Sequence, residues 1–121
     1  MAATKDSVVH QNNVTLTAGA GDTTSTAEDL SESYGALITI KLTNGATGPT
    51  IAAQVIVEIS HDNSIFYQLA GPLVGSTANN GVVSWSLRLP IEAKFVRTVS
   101  GSNTGQNVTI RSEITEVSAL S

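Results

Sequence analysis

The sequence predicts an all-β fold: an antiparallel β-sandwich, jelly-roll-like, of about eight short strands with a flexible N-terminal arm. Three observations predict it. Apolar and polar residues alternate strictly, as in Val83, Trp85, Leu87 and Leu89 on one parity against Ser84, Ser86 and Arg88 on the other, which is a strand with one buried face. Clusters of Gly, Pro, Asn and Asp recur at short spacing between such runs. No stretch carries the sustained apolar period of a long helix.

Residues 1–12 are polar and weakly patterned, and they read as an arm ahead of a sandwich domain spanning 13–121. Val14, Leu16 and Ala18 alternate with Thr15 and Thr17 until Gly19-Ala20-Gly21-Asp22 breaks the run. In Thr23 to Ser33, Ser25 and Glu28 have capping-box spacing, but only Leu30 follows as an apolar residue. A short strand or irregular crossing is therefore expected there. Tyr34 to Thr43 is a strong strand, closed by the loop Asn44-Gly45-Ala46-Thr47-Gly48-Pro49. Ile51 to Ser60 follows, and His61-Asp62-Asn63-Ser64 turns the chain into a short apolar strand, Ile65 to Leu69. Gly71-Pro72 and the run Gly75 to Gly81 separate it from the Trp85 strand, which Pro90 ends because it has no N–H to donate. Lys94 to Ser100 and Gln106 to Thr115 are expected as a final pair.

A chain of 121 residues is the size of one domain and buries about two-thirds of its unfolded surface. Only 13% of its residues are charged, about half the usual share, so the surface is expected to be hydroxyl-rich. The net charge is −4 and the basic residues are scattered at Lys5, Lys41, Arg88, Lys94, Arg97 and Arg111. Nothing concentrates positive potential for nucleic acid, which is not expected as a partner. There is no cysteine, hence no disulfide framework and no thiolate metal site. With no basic-then-apolar start and no long apolar run, the expectation is synthesis in a cytoplasm and no membrane partner. Asn13-Val14-Thr15 and Asn107-Val108-Thr109 match the glycosylation pattern and are read as coincidence.

No catalytic, cofactor-binding or metal-ligating site is expected, and the chain is read as non-enzymatic. Ser60, His61 and Asp62 carry the letters of a triad, but neighbours in an extended chain point to opposite faces; Asp62 and Asn63 read as turn formers. His10 and His61 lack the spacing of a zinc pair. Asp22, Glu28, Asp29 and Glu32 gather without a calcium-loop pattern and read as a solvated acidic segment. Gly19-Ala20-Gly21 lacks the third glycine and helix of a dinucleotide fingerprint. Aromatic residues make up 4% of the chain; Trp85 shares the parity of Val83 and Leu87 and is assigned to the core, leaving Tyr34 and Tyr67 as exposed platforms for a glycan. Arg88 and Arg97 are candidates to pair with Glu58, Glu92 or Glu113. Ser/Thr-rich edge strands with few charges invite pairing with another chain, so a homo-oligomer, dimer or trimer, is expected.

Several segments together resemble small β-sandwich virion proteins of tailed bacteriophages, particularly capsid decoration or cement proteins. They are Asn44 to Pro49, Val55 to Asp62, Phe66-Tyr67, Phe95-Val96-Arg97, and Asn103 to Thr109. Where such sequences often have Ser-x-Asp-Gly, this chain has Ser60-His61-Asp62-Asn63. The resemblance implies a structural virion protein that binds the outer capsid surface, with the major capsid protein as partner, and stabilises the shell. A tail, baseplate or head-fibre component and a carbohydrate-binding module are the alternatives. On this reading the arm orders on a neighbour, and removing residues 1–11 abolishes attachment while leaving the fold intact.

Overall fold

The computed structural model describes residues 3–120, which form nine strands in two antiparallel sheets. The strands are β1 (Ala3–Leu16), β2 (Thr23–Thr24), β3 (Glu28–Asp29), β4 (Ala36–Asn44), β5 (Gln54–Ser60), β6 (Phe66–Val74), β7 (Val82–Leu89), β8 (Phe95–Gly101) and β9 (Val108–Leu120). One sheet has the order β1-β9-β4-β7; the other is β2-β8-β5-β6, with β3 beside β2 along β8. The pairs β1·β9, β2/β3·β8, β4·β7 and β5·β6 nest like one long hairpin whose tip is the β5–β6 turn. Rolling that hairpin so that β9 meets β4 and β8 meets β5 closes a jelly roll.

Alternation decides which face each strand buries. On β4, Ala36, Ile38, Ile40 and Leu42 are buried while Leu37 and Lys41 are exposed. Val55 and Val57 of β5, Val96 of β8 and Val108, Ile110 and Ile114 of β9 complete the core from both sheets. Each such side chain contributes about 1.5–3 kcal/mol by leaving water. Trp85 stands opposite Ile40 and packs against this core, as its parity predicts, while remaining partly exposed at the sheet edge. Between β1, β8 and β9 the interior turns polar: buried Gln11 Oε1 accepts from Thr98 Oγ1 at 2.7 Å and from Ser112 Oγ at 3.1 Å. This bridge ties the two sheets through hydrogen bonds.

Four expectations need correction. Residues 3–12 are not an unstructured arm: they form most of β1, paired from Ala3↔Leu120 onward, because β9 is long enough to offer them a backbone partner. Residues 3–9 are nonetheless exposed, so hydrogen bonds rather than burial hold that segment; residues 1 and 2 of the expected arm lie outside the described residues. The last two strands do not pair with each other. Gly101 to Asn107 crosses from one sheet to the other, held by Asn103 Nδ2 donating to the carbonyls of Leu16 and Gln106. Gly71-Pro72, a cis peptide, does not end its strand; β6 is an edge strand, where a missing N–H is tolerated, and the register with β5 shifts around it. Within Thr23 to Ser33 the expected short crossing strand is split into β2 and β3.

Candidate functional site

Ser60, His61 and Asp62 build a turn. Asp62 Oδ1 accepts the N–H groups of Ser64 at 2.9 Å and Ile65 at 3.0 Å, while the buried Ser60 Oγ donates to it at 3.1 Å. Ser60 Oγ itself accepts from the backbone N–H of Asp62 and Asn63, and Asn63 takes a φ of 60°. The N–H of Ile65, then that of Ser64, then the Ser60 hydroxyl hold the Asp62 carboxyl below its ordinary pKa. The His61 ring lies 6.3 Å from that of Tyr67, and no imidazole stands between Ser60 and Asp62. The serine proton is spent on the turn and cannot be drawn off to make a nucleophile.

Asp22 stands apart from Glu28 and Asp29, which lie together on β3. Asp22 Oδ1 accepts from Ser102 Oγ; Asp29 Oδ1 accepts from the Ser31 hydroxyl and N–H, which lower its pKa in that order. Among the described residues, no three His, Asp or Glu side chains converge as a metal site. His10 Nε2–H donates to the Thr26 carbonyl at 2.7 Å and its Nδ1 contacts Ser112 Oγ at 3.1 Å, far from His61 in the topology. Gly19-Ala20-Gly21 is a turn, with the Ala20 N–H donating to the Thr17 carbonyl and both glycines at positive φ.

Of the proposed ion pairs, Arg97 with Glu58 forms, at 2.8 Å across β8 and β5, and the guanidinium also lies 3.7 Å above the Phe66 ring. Glu113 pairs instead with Arg111, at 3.0 Å. Tyr34 and Tyr67 are exposed, at 52% and 57%, but they sit on different sheets, Tyr34 just before β4 and Tyr67 on β6.

An open groove of about 790 Å³ lies at one end of the outer face of the β1-β9-β4-β7 sheet. Tyr34, Leu37, Ile91 and Val117 give it an apolar floor, with Lys5 and Arg88 at its sides. Sequence reasoning singled out only Tyr34 and Arg88 of these, the latter for an ion pair. The others come from four separate segments, and the one local signal was Leu37, an apolar residue on the polar parity of Thr39 and Lys41. Cations beside an apolar floor suit contact with a protein surface.

No protein-family model and no curated protein sequence matches the chain. Solved structures do. The SPBc2 prophage-derived protein YomS is similar at a TM-score of 0.57 and 14% identity, over 95% of this chain and 96% of that one. The PBSX exported protein XepA matches at 0.57 and 14% identity over 96% of this chain and 38% of its own. The VP2 subviral particle of infectious bursal disease virus matches at 0.57 and 10% identity over 93% of this chain, which spans 32% of that one. The likeness is one of fold, and that fold also occurs in the disulfide-linked pili of Bacillus endospore appendages, at a TM-score of 0.54 and 12% identity over 97% of this chain and 88% of that one.

Proposed function

We propose that the protein is a non-enzymatic structural component of a virion, a decoration or cement protein that sits on the outer capsid surface, binds the major capsid protein and stabilises the shell. The observation that carries this reading is the jelly roll itself. It takes in the described residues from Ala3 to Leu120, and YomS, a prophage-derived protein, matches nearly all of the chain at nearly the same length. The exterior suits the role: few charges, many hydroxyls and open strand edges favour repeated modest contacts whose sum is large on a shell of many copies.

Residues 3–9 of β1, paired on one side and covered on neither face, are the segment we assign to the capsid neighbour. The truncation that tests this must stop short of Gln11, because removing residues 1–11 strips Thr98 and Ser112 of their buried partner and disturbs the fold as well. Purified protein mixed with undecorated phage heads and pelleted is expected to bind saturably, at a copy number that matches the capsid's symmetry. A chain lacking residues 1–8 is expected to keep its β-sheet circular dichroism and stay in the supernatant. Failure of the full-length chain to pellet overturns the capsid assignment and shifts the weight to a tail, baseplate or head-fibre location.

A further inference from the structure

From Asn63 to Leu87 the chain carries no Asp, Glu, Lys, Arg or His. That run contains β6 and nearly all of β7, and these are the edge strands of the two sheets on the same side of the sandwich. The opposite side is blunted in the ways natural edges are: β1 carries Lys5, Asp6 and several register shifts, and β2 and β3 are two-residue fragments. β7 has none of these devices. It pairs with β4 without a register shift from Ala36↔Leu89 to Thr43↔Val82, has no proline, and bears one charge, Arg88, near its end.

The core is also unfinished on this side. The apolar residues that pack against the core but stay partly exposed are Ile59, Ala70, Leu73, Trp85 and Leu87, all on β5, β6 and β7. On the outward positions of β6 and β7 and in the turn before β6, Val74, Tyr67, Val82 and Ile65 are each more than half exposed. A regular edge with a single charge near its end, next to a half-covered core, is a surface that a partner strand completes.

We infer that this side is the interface with a second copy of the chain, formed by antiparallel pairing of β7 with β7 about a two-fold axis at Trp85. The occupant follows from the strand's own complementarity. Antiparallel pairing keeps each residue on its face only if the axis passes through a residue, and Trp85 is one of the two central residues of the strand; an axis at the other, Ser86, would set Val82 opposite Pro90, which has no N–H to donate. Ser84 then meets the partner's Ser86, Val83 meets the partner's Leu87, and Arg88 meets the partner's Val82 rather than a second arginine. Inner apolar residues meet inner apolar residues, hydroxyls meet hydroxyls, and no like charges oppose. This deepens the assembly reading above and rests on it only for the expectation that copies associate; pelleting with heads tests the virion role separately.

Light scattering on the full chain is expected to give twice the 12.5 kDa monomer mass, with Trp85 emission shifting to the red on dilution. In the double variants Ser84→Glu/Ser86→Glu and Ser84→Lys/Ser86→Lys, each introduced charge faces a like charge. Both are expected to be monomeric, with dissociation constants raised about a hundredfold or more. Ser84 and Ser86 are exposed, so folding is expected to be unchanged by circular dichroism. An equimolar mixture of the two variants is expected to dimerise again. A monomeric wild type overturns the inference, and so does a wild-type oligomer that both variants retain.

Discussion

Glu116 shares the inward parity of Ile110, Ser112 and Ile114 on β9 but lies at the rim of the sandwich, opposite Asp6 of β1. Burial raises its carboxyl above the ordinary value, and the charges of Glu28, Asp29 and Asp6 raise it further. A carboxyl that holds its proton more tightly in the folded state favours folding most at low pH and loses that contribution as pH rises through the folded value. Asp29 and Asp62 act in the opposite sense, since their hydrogen bonds lower their values; their contribution is present above the ordinary carboxylate range and is lost as pH falls through the lowered ones. Glu116→Gln is therefore expected to raise Tm by about 2 °C near neutral pH. The gap between variant and wild type is expected to close as pH falls toward about 4. Thermal unfolding followed across that range tests it, and a gap that widens on acidification contradicts the assignment.

At the level of elements, the loops after β4 and before β7 form a clasp at the end of the sandwich away from the β5–β6 turn. Buried Asn44 donates through Nδ2 to the carbonyls of Ser76 at 2.8 Å and Ala78 at 2.9 Å, and its N–H donates to the Gly81 carbonyl. Asn79 Oδ1 accepts the Gly48 N–H at 2.8 Å, and a Cβ on Gly48 would lie 2.0 Å from the Thr77 carbonyl oxygen, so only glycine fits there. Asn44→Ala leaves two carbonyls without their donor and is expected to lower stability by about 1–3 kcal/mol. Urea unfolding reads this directly, and an unchanged midpoint shows that the clasp contributes nothing. That Asn44 to Pro49 forms a loop is legible in the sequence; its partner loop is not, because the contact joins segments some thirty residues apart. The same limit runs through the fold. Strands β4, β5 and β7 are legible because parity is a local property of the chain, and so is the turn at Ser60 to Ser64. The separation of β8 from β9 and the length of β1 are not legible, since both are set by a distant strand's register. The polar bridge of Gln11, Thr98 and Ser112 is invisible to hydropathy for the same reason, as each residue alone reads as surface.

For the molecule as a whole, the nested pairing means that neither half of the chain contains its own partners. β1 and β4 pair with β9 and β7, and β2, β3 and β5 pair with β8; only β5·β6 is complete within the first two-thirds of the chain. Pairings as distant as Ala3↔Leu120 must close long loops before they contribute, which makes folding slow and all-or-none. Alternation and turn spacing suffice to identify the fold class, yet this interdependence becomes visible only in the strand order. Cutting the chain in the exposed β6–β7 loop, between residues 77 and 78, gives one fragment holding β1 to β6 and another holding β7 to β9. In the first, β5·β6 is a lone hairpin, too small to be stable in water; in the second, no two strands are partners. Each fragment alone is expected to show the narrow amide dispersion and circular dichroism of an unfolded chain. Mixed at equal concentration, they are expected to regain the sheet signal on the timescale of seconds or longer, because every pairing is then available again. A fragment spanning residues 1–77 that shows dispersed amide resonances on its own would mean that one sheet forms without the strands that complete it, and the nested account of the jelly roll would fail.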